Sequence, residues 1–343
     1  MLGVMKTAPG PGHVALGELP EPTPGPGQVK IAVKAAGICG TDLHIEDDEY
    51  PNWPPVVLGH EMAGEVVEVG SGVSSFSPGD RVTALPFAMH CGHCRYCLQG
   101  EYGLCAGRRS FGTGVNGAFA PYLVIPEGIV RRLPPEVDWE SAALTEPLAC
   151  CCKAVLQQGT VRAGDVALIT GPGPIGLLAL QLARLQGATT ILLGTAHDAQ
   201  RLAVGKRVGA DYTVQAETDE LWPLLDQLSH GRGADVVVEC AGAPAATRAA
   251  LRALRKQGQL IQVGLHGRPF EIDFEQIAYK DVQVIGSFAS STSSWERALT
   301  LLERQVLQLR PLISHVLPLE EWQKGFAMAR SKEGLKVLFR PAT

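Results

Sequence analysis

Residues 166–187 read VALITGPGPIGLLALQLARLQG, and this stretch decides the fold. Val166–Thr170 is a short apolar run, as expected of a strand buried on both faces. Gly171, Gly173 and Gly176 follow in G-x-G-x-x-G spacing. The apolar positions then change to helical spacing, with Ile175, Leu178, Leu182 and Leu185 on one face and Gly187 as the stop. The three glycines permit a tight turn, close approach of a pyrophosphate, and close packing of helix on strand, while the helix N-terminus favours the phosphate charge. Alone, such a glycine pattern is a weak sign. Between a strand and a helix it predicts a dinucleotide site.

Outward from this stretch, strands and helices keep alternating. TTILLG, ADVVVEC, QLIQVG and VQVIGSF read as further buried strands, and DAQRLAVGKRVG and APAATRAALRALRK as helices. Repeated strand–helix units predict a parallel, doubly wound sheet. Toward the N-terminus the texture is β-rich. QVKIAVKAAG alternates, with Val29, Ile31 and Val33 facing one way and Lys30 and Lys34 the other, the pattern of a half-buried strand. GEVVEVG, GDRVTAL and APYLVIP are further short strands. After about residue 288 the pattern turns helical; Ser293 or Ser294 is positioned to cap WERALTLLERQ. GLKVLFRP is a last strand, expected to return to the N-terminal region. The expected division is a β-rich, discontinuous domain of residues 1–148 and 289–343, and an α/β dinucleotide-binding domain of residues 149–288.

Bulk properties exclude several function classes. A net charge of −5 offers no electrostatic surface for nucleic acid. No apolar stretch reaches the ~18 residues of a membrane span. The opening MLGVMKTAPGPGHVALG lacks a basic head followed by an apolar run, so no signal peptide is expected and the cytoplasm is the expected compartment. Nine cysteines in such a chain point to metal binding rather than disulfides.

Four of those cysteines crowd together as Cys91, Cys94, Cys97 and Cys105. Their spacing lets one loop wrap four thiolates around an ion. Four sulfurs close a tetrahedral zinc shell, so the expected role is structural. His90 and His93 lie in the same loop and are read as loop residues. A second set is Cys39, His60 and Glu61, with Glu146 of LTEPLACCC at the expected domain junction as a fourth donor. A catalytic zinc needs about three protein ligands and an open position. It suits alcohol oxidation, because the hydroxyl proton must leave before hydride does. Thr41 and His44, just after Cys39, offer a hydroxyl and an imidazole to carry that proton. The carboxylate that ordinarily ends the second strand and binds the adenosine ribose is missing: ILLGTAHDAQR has Gly194 and Thr195 there. NADP is thus slightly favoured over NAD, with Thr195, His197 and Arg201 as neighbours for a 2′-phosphate.

In chain order, GICGTDLH, LGHEMAGEVVEVGSGV, PGDRV, CGHCRYCLQGEYGLC, NGAFAPYLVIP, LTEPLA and GPGPIG resemble the zinc-containing medium-chain dehydrogenase/reductase superfamily over nearly the whole chain. The likeness is greatest to its polyol (sorbitol-type) and threonine dehydrogenase branch. The resemblance implies a GroES-like catalytic domain and a Rossmann domain with the active site between them. It implies two zinc ions. The catalytic one would fall on Cys39, His60 and Glu146, with Glu61 able to exchange onto the metal, and the structural one on the four clustered cysteines. It places the proton relay on Thr41 and His44, with Glu61 also in the catalytic set. Cofactor contacts are expected from Gly171, Gly173, Pro174, Ile175 and Gly176, from Thr195 and Arg201, and from Val263, Gly264 and Ser287. A homodimer or homotetramer is implied, with VQVIGSF as candidate edge. The expected reaction is reversible oxidation of a secondary hydroxyl of a polyol or sugar-like substrate, a small-molecule alcohol, with NAD or NADP. L-Threonine 3-dehydrogenation is the alternative, and a catalytically inactive, zinc-stabilised binding protein is the alternative of another class. Cys150, Cys151 and Cys152 depart from the family pattern, and Cys150 is a further potential ligand. Asp47, Asp48, Tyr50, Trp53, Arg108 and Arg109 are candidates for the substrate loops.

Overall fold

The computed structural model describes residues 1–218 and 220–342. Asp219 and Thr343, each inside an expected domain range, lie outside the described residues. The chain forms two compact units, Met1–Glu146 with Ser291–Thr343, and Pro147–Ser290.

The first unit is built on a seven-stranded sheet. Its order runs Ile313–Pro318, Lys336–Arg340, Gln28–Gly37, Glu61–Val69, Arg81–Ala84, Val130–Arg132, and Tyr122–Pro126 also pairs with Gln28–Gly37. The last strand runs antiparallel to Gln28–Gly37, with Leu338 opposite Gly37 and Phe339 opposite Ala36. Beside this lies a three-stranded sheet, Val14–Glu18, Leu2–Lys6 and Val56–Val57. Phe119 meets Phe339 edge-on at 5.0 Å between ring centroids, and both rings are fully buried. Each such side chain contributes roughly 1.5–3 kcal/mol relative to exposure.

Gln28–Gly37 is not half-buried as its alternation predicts. Lys30 is only 7% exposed; its ammonium is paired with Glu21 and lies over the Tyr122 ring. Residues on both faces of the strand are buried, and a lysine stays there because it has an acid and an aromatic face beside it. The serine cap is also corrected. The helix Thr292–Glu303 starts after Ser291, whose Oγ accepts from the Ser294 N–H at 3.2 Å, while Ser294 Oγ accepts from the Ser291 N–H at 2.9 Å. Ser293 and Ser294 therefore sit inside the first turn. The strand Ile313–Pro318 interrupts the helical stretch expected after residue 288.

The second unit is a six-stranded parallel sheet: Tyr212–Gln215, Thr189–Gly194, Val166–Thr170, Ala234–Glu239, Leu254–Gln262, Gln283–Gly286. Numbered along the unit, the order is 3-2-1-4-5-6, that of a doubly wound dinucleotide-binding sheet. Strand order reverses beside Val166–Thr170, so the glycine loop lies at the switch point where such sheets bind ligands. Two expectations change here. The helix in APAATRAALRALRK ends at Ala253, and Leu254 to Lys256 already belong to the next strand, which carries a register shift. Gln283–Gly286 is an exposed edge, not a buried strand, because it comes last in the order and leaves Val284 48% exposed. Among the described residues, no helix is long and apolar enough to cross a membrane.

Candidate active site and metal centres

The first site gathers at the end of the strand Gln28–Gly37. A seven-residue helix, α1 (Gly40–Glu46), starts directly after Cys39. Its start depends on Asp42, which is fully buried and accepts from the Cys39 N–H at 2.9 Å and from the Gly59 N–H at 3.2 Å. That carboxylate therefore ties Cys39 to the segment carrying His60. Gly59 itself is left-handed at φ +87, and a side chain there would strike Phe119 at 2.3 Å. Only glycine delivers His60 to this point without displacing the core.

Cys39, His60 and Glu61 have one ligand atom each within 4.8 Å of one another. His60 is 8% exposed, and its Nδ1, buried without a hydrogen-bond partner, lies 3.9 Å from Asp42 Oδ1. Burial alone pushes the imidazole pKa down, but the charge and hydrogen bond of Cys39, and the charges of Asp42 and Glu146, hold it well above the usual histidine value. These acids thus demand a cation at His60. A proton meets the demand in the bare protein, and a divalent ion with nitrogen and sulfur ligands meets it better. The residues fit zinc.

Glu146 is 7% exposed, in the first turn of the helix Thr145–Cys151. It acts electrostatically on His60 and on Lys336 but lies outside the close group of three. Glu61 is held by Lys336, whose Nζ donates to Oε1 at 2.8 Å, to Oε2 at 2.7 Å and to the Ile38 carbonyl at 2.9 Å. Both groups are buried, at 1% and 3% exposure. Burial lowers the Lys336 pKa, but Glu61, Cys39 and Glu146 more than offset this, and the ammonium titrates above its ordinary value. Glu61 can serve a metal only in competition with this ammonium. No motif in the sequence marks Lys336 or Asp42. The traces they leave are a charge inside the apolar run KVLF and a C-G-T-D capping-box spacing.

Thr41 Oγ1 lies 3.7 Å from Cys39 Sγ. His44, one turn further along α1, is half-exposed, with Nδ1 2.9 Å from Glu49. The substrate-loop candidates clasp two loops together. Arg109 stacks on Trp53 at 3.8 Å, Arg108 donates to the Tyr50 hydroxyl at 3.3 Å, and the Trp53 N–H donates to the Thr113 carbonyl at 3.0 Å. Asp47 is bound by Arg330, and Asp48 by the Gly10 N–H and Asn52.

In the second site, the Sγ atoms of Cys91, Cys94, Cys97 and Cys105 lie within 4.8 Å of one another. Cys94 and Cys97 are 3.5 Å apart, and Cys91 and Cys97 3.9 Å. Four sulfurs bound at 2.3 Å to a tetrahedral zinc stand about 3.8 Å apart, so the spacing already fits the ion. Backbone N–H groups aim at the sulfurs: Cys94 N–H at Cys91 Sγ (3.3 Å), Cys97 N–H at Cys94 Sγ and Cys91 N–H at Cys105 Sγ (both 3.5 Å). Hydrogen bonds from His93 and Cys94 bring the Cys91 thiol down to about 6, whereas burial pushes Cys97 up to about 12. His90 stacks on Tyr102, and His93 Nδ1 bonds the Cys91 carbonyl, so both rings are engaged elsewhere.

The cofactor candidates lie in the second unit. A Cβ on Gly171 (φ +86) would stand 2.8 Å from the Ala241 backbone, and one on Gly176 would stand 1.9 Å from the Gly171 carbonyl oxygen. A Cβ on Gly173 would meet nothing within 4 Å, which leaves the approach to the helix N-terminus open. Pro174 and Ile175 open that helix, Pro174–Leu185. Glu239 is fully buried and accepts from Thr170 Oγ1 (3.3 Å), the Ala241 N–H (2.9 Å), the Gly242 N–H (3.1 Å) and Gln262 Nε2 (2.5 Å). It pins three loops at the strand ends. Val263 and Gly264 donate to the Glu239 carbonyl, and Ser287 to that of Gln262, at the same ends. At the ribose end, a side chain on Gly194 would meet Asp198 Cβ and Pro172 at 3.0 Å, so an acid there would require those neighbours to give way. Asp198 folds back instead and accepts from Thr195 N–H and Oγ1. Burial lowers the pKa of Arg201 and the Asp198 charge raises it, with burial prevailing. Cys151 Sγ faces the Ile175 carbonyl at 3.4 Å, and Cys150 belongs to neither metal-capable group among the described residues.

Comparison with known proteins follows the same two units. Residues 25–135 match the family described as alcohol dehydrogenase GroES-like domain, and residues 174–304 that described as zinc-binding dehydrogenase. The chain is 43% identical over 342 residues to a sorbitol dehydrogenase of Halalkalibacterium halodurans, covering 99% of each. It is 39% identical to a D-arabitol-phosphate dehydrogenase of Enterococcus avium, covering 98% of this chain and 97% of that one. A Sinorhizobium meliloti protein described as a zinc-binding dehydrogenase, solved with NADP, superposes with a TM-score of 0.90 at 33% identity, covering 99% of both chains.

Proposed function

The chain belongs to the zinc-containing medium-chain dehydrogenase/reductase superfamily and is an alcohol dehydrogenase of that family, and from this premise we propose that it oxidises a secondary hydroxyl of a polyol or sugar-like alcohol to a ketone, reversibly, with NAD or NADP. The observation that carries the reading is the buried group of Cys39, His60 and Glu61, in a chain similar over its whole length to a sorbitol dehydrogenase.

In this reading Cys39, His60 and Glu146 hold the catalytic zinc, and Cys91, Cys94, Cys97 and Cys105 a structural one. Zinc at the first site supplies Lewis acidity, which makes an alcohol proton removable near neutral pH. Asp42 stands 3.9 Å from His60 Nδ1 and supplies a negative charge on that side of the ring, with no hydrogen bond between them. Lys336 keeps the Glu61 charge compensated, so that Glu61 is available without occupying the site permanently. Thr41 receives the substrate proton, and His44, half-exposed, delivers it to solvent. Gly171, Gly173 and Gly176 admit the pyrophosphate at the helix N-terminus. Val263, Gly264 and Ser287 are the expected contacts further along the cofactor.

Without an acid at Gly194, and with Asp198 occupied by Thr195, NADP is slightly favoured, with Thr195 and Arg201 as its neighbours. The enzyme is read as cytoplasmic, where thiolates stay reduced. It is further read as a homo-oligomer formed through the exposed edge Gln283–Gly286. Turnover of sorbitol, xylitol, butanediol, arabitol phosphate and threonine, each with NAD and NADP, tests the function. Oxidation of at least one polyol or polyol phosphate is expected. Turnover of threonine alone would overturn the reading.

A further inference from the structure

The end of α1 carries an unassigned feature. The Asp48 N–H donates to the Ile45 carbonyl at 3.1 Å, and the Glu49 N–H to the His44 carbonyl at 2.7 Å. Asp48 is left-handed at φ +61. This is the paired-bond ending in which the chain reverses through one left-handed residue, and it brings the residue after that one against the residue three places before the helix limit. Those two positions ordinarily hold an apolar pair. Here they are Glu49 and His44, with Oε2 2.9 Å from Nδ1. A left-handed aspartate is tolerated because Asp48 is itself anchored, accepting from the Gly10 N–H at 3.0 Å and from Asn52 at 3.1 Å.

We infer that Glu49 is a positioning residue for His44: its carboxylate holds the imidazole in the Nδ1–H form and so presents Nε2 as the proton acceptor. An ionised carboxylate only accepts, so a neutral ring facing it must donate from Nδ1. The hydrogen bond made by one ring nitrogen fixes the state of the other. A neutral histidine free in water favours the opposite form, with Nε2 protonated and unable to accept. With Nδ1 engaged by Glu49, Nε2 is the nitrogen left to accept a proton. The other charged groups about this turn are engaged elsewhere. Arg330 binds Glu46 and Asp47, Lys6 donates to the Glu46 carbonyl, and His13 and Lys6 act on Asp48.

The inference rests on the relay reading of His44, and the test separates the two. Zinc-loaded enzyme is labelled with ¹⁵N at histidine, and the His44 signals are identified as those lost in His44→Ala. Wild type is expected to show Nδ1 protonated and Nε2 bare. Glu49→Ala is expected to shift the ring toward Nε2–H and lower kcat about tenfold with the alcohol KM unchanged. Glu49→Gln, whose amide oxygen still accepts, is expected to retain most of both properties. The turn is held by backbone bonds, so these variants keep the fold. An unchanged ring state and kcat in Glu49→Ala, beside an impaired His44→Ala, would overturn the Glu49 role alone. Wild-type turnover by His44→Ala would instead overturn the relay reading.

Discussion

At the scale of single residues, the buried pair of Glu61 and Lys336 sets the terms. A carboxylate 1% exposed is tolerable only with its partner in place. Lys336→Met would leave that charge uncompensated, and the expected loss is about 3–5 kcal/mol of stability, read as a lowered denaturant midpoint. Lys336→Arg should lose much less. The cysteine loop supports a second prediction. The Cys91 thiol, lowered to about 6, is mostly thiolate at pH 7 and becomes protonated as the pH falls below 6, whereas Cys97, at about 12, stays protonated at both. In protein stripped of metal, iodoacetamide at pH 7 should modify Cys91 before Cys97, and the preference should fade toward pH 5. Restoring zinc should protect both. Peptide mass spectrometry reads the order.

At the scale of elements, much was legible because local spacing carried it. The glycine loop shows itself in order, strand then glycines then helix; Gly171 and Gly176 have no room for a side chain, while Gly173 leaves the approach to the helix open. The four cysteines are legible because one loop holds all of them. Cys39, His60 and Glu146 come from three segments; donor chemistry grouped them with Glu61, and the chain-long resemblance then singled out these three. Lys336 and Asp42 were not legible. Whether Lys336 faces the site depends on the register of the last strand against Gln28–Gly37, and a sequence does not print register. The exposed strand Gln283–Gly286 was misread for a related reason: its composition matches its buried neighbours, and only its place in the sheet order differs. The loop gives the prediction proper to this scale. Gly176→Ala puts a methyl 1.9 Å from a carbonyl oxygen, so the helix must move off the strand. Cofactor affinity should fall about tenfold or more, ~1.4 kcal/mol, by fluorescence titration, with zinc content unchanged.

At the scale of the whole molecule, the proposed assembly turns on the edge strand. Val284 is exposed at the end of the sheet order, and an unprotected edge is a template for a second chain. Val284→Lys should leave the melting temperature of the single chain nearly unchanged while shifting sedimentation from oligomer to monomer. Wild type sedimenting as a monomer at micromolar concentration would remove the edge from the account. The pair at Glu61 has a consequence on this scale too. Lys336 stands 275 residues after Glu61. During synthesis the ribosome delivers Cys39, His60, Glu61 and Glu146 long before the ammonium that balances them. Until Lys336 has emerged, the Glu61 carboxylate lacks the ammonium that compensates it in the folded unit. Pairing of Lys336–Arg340 with Gln28–Gly37 brings that ammonium in, so the order of synthesis makes this late strand the element that completes the pocket.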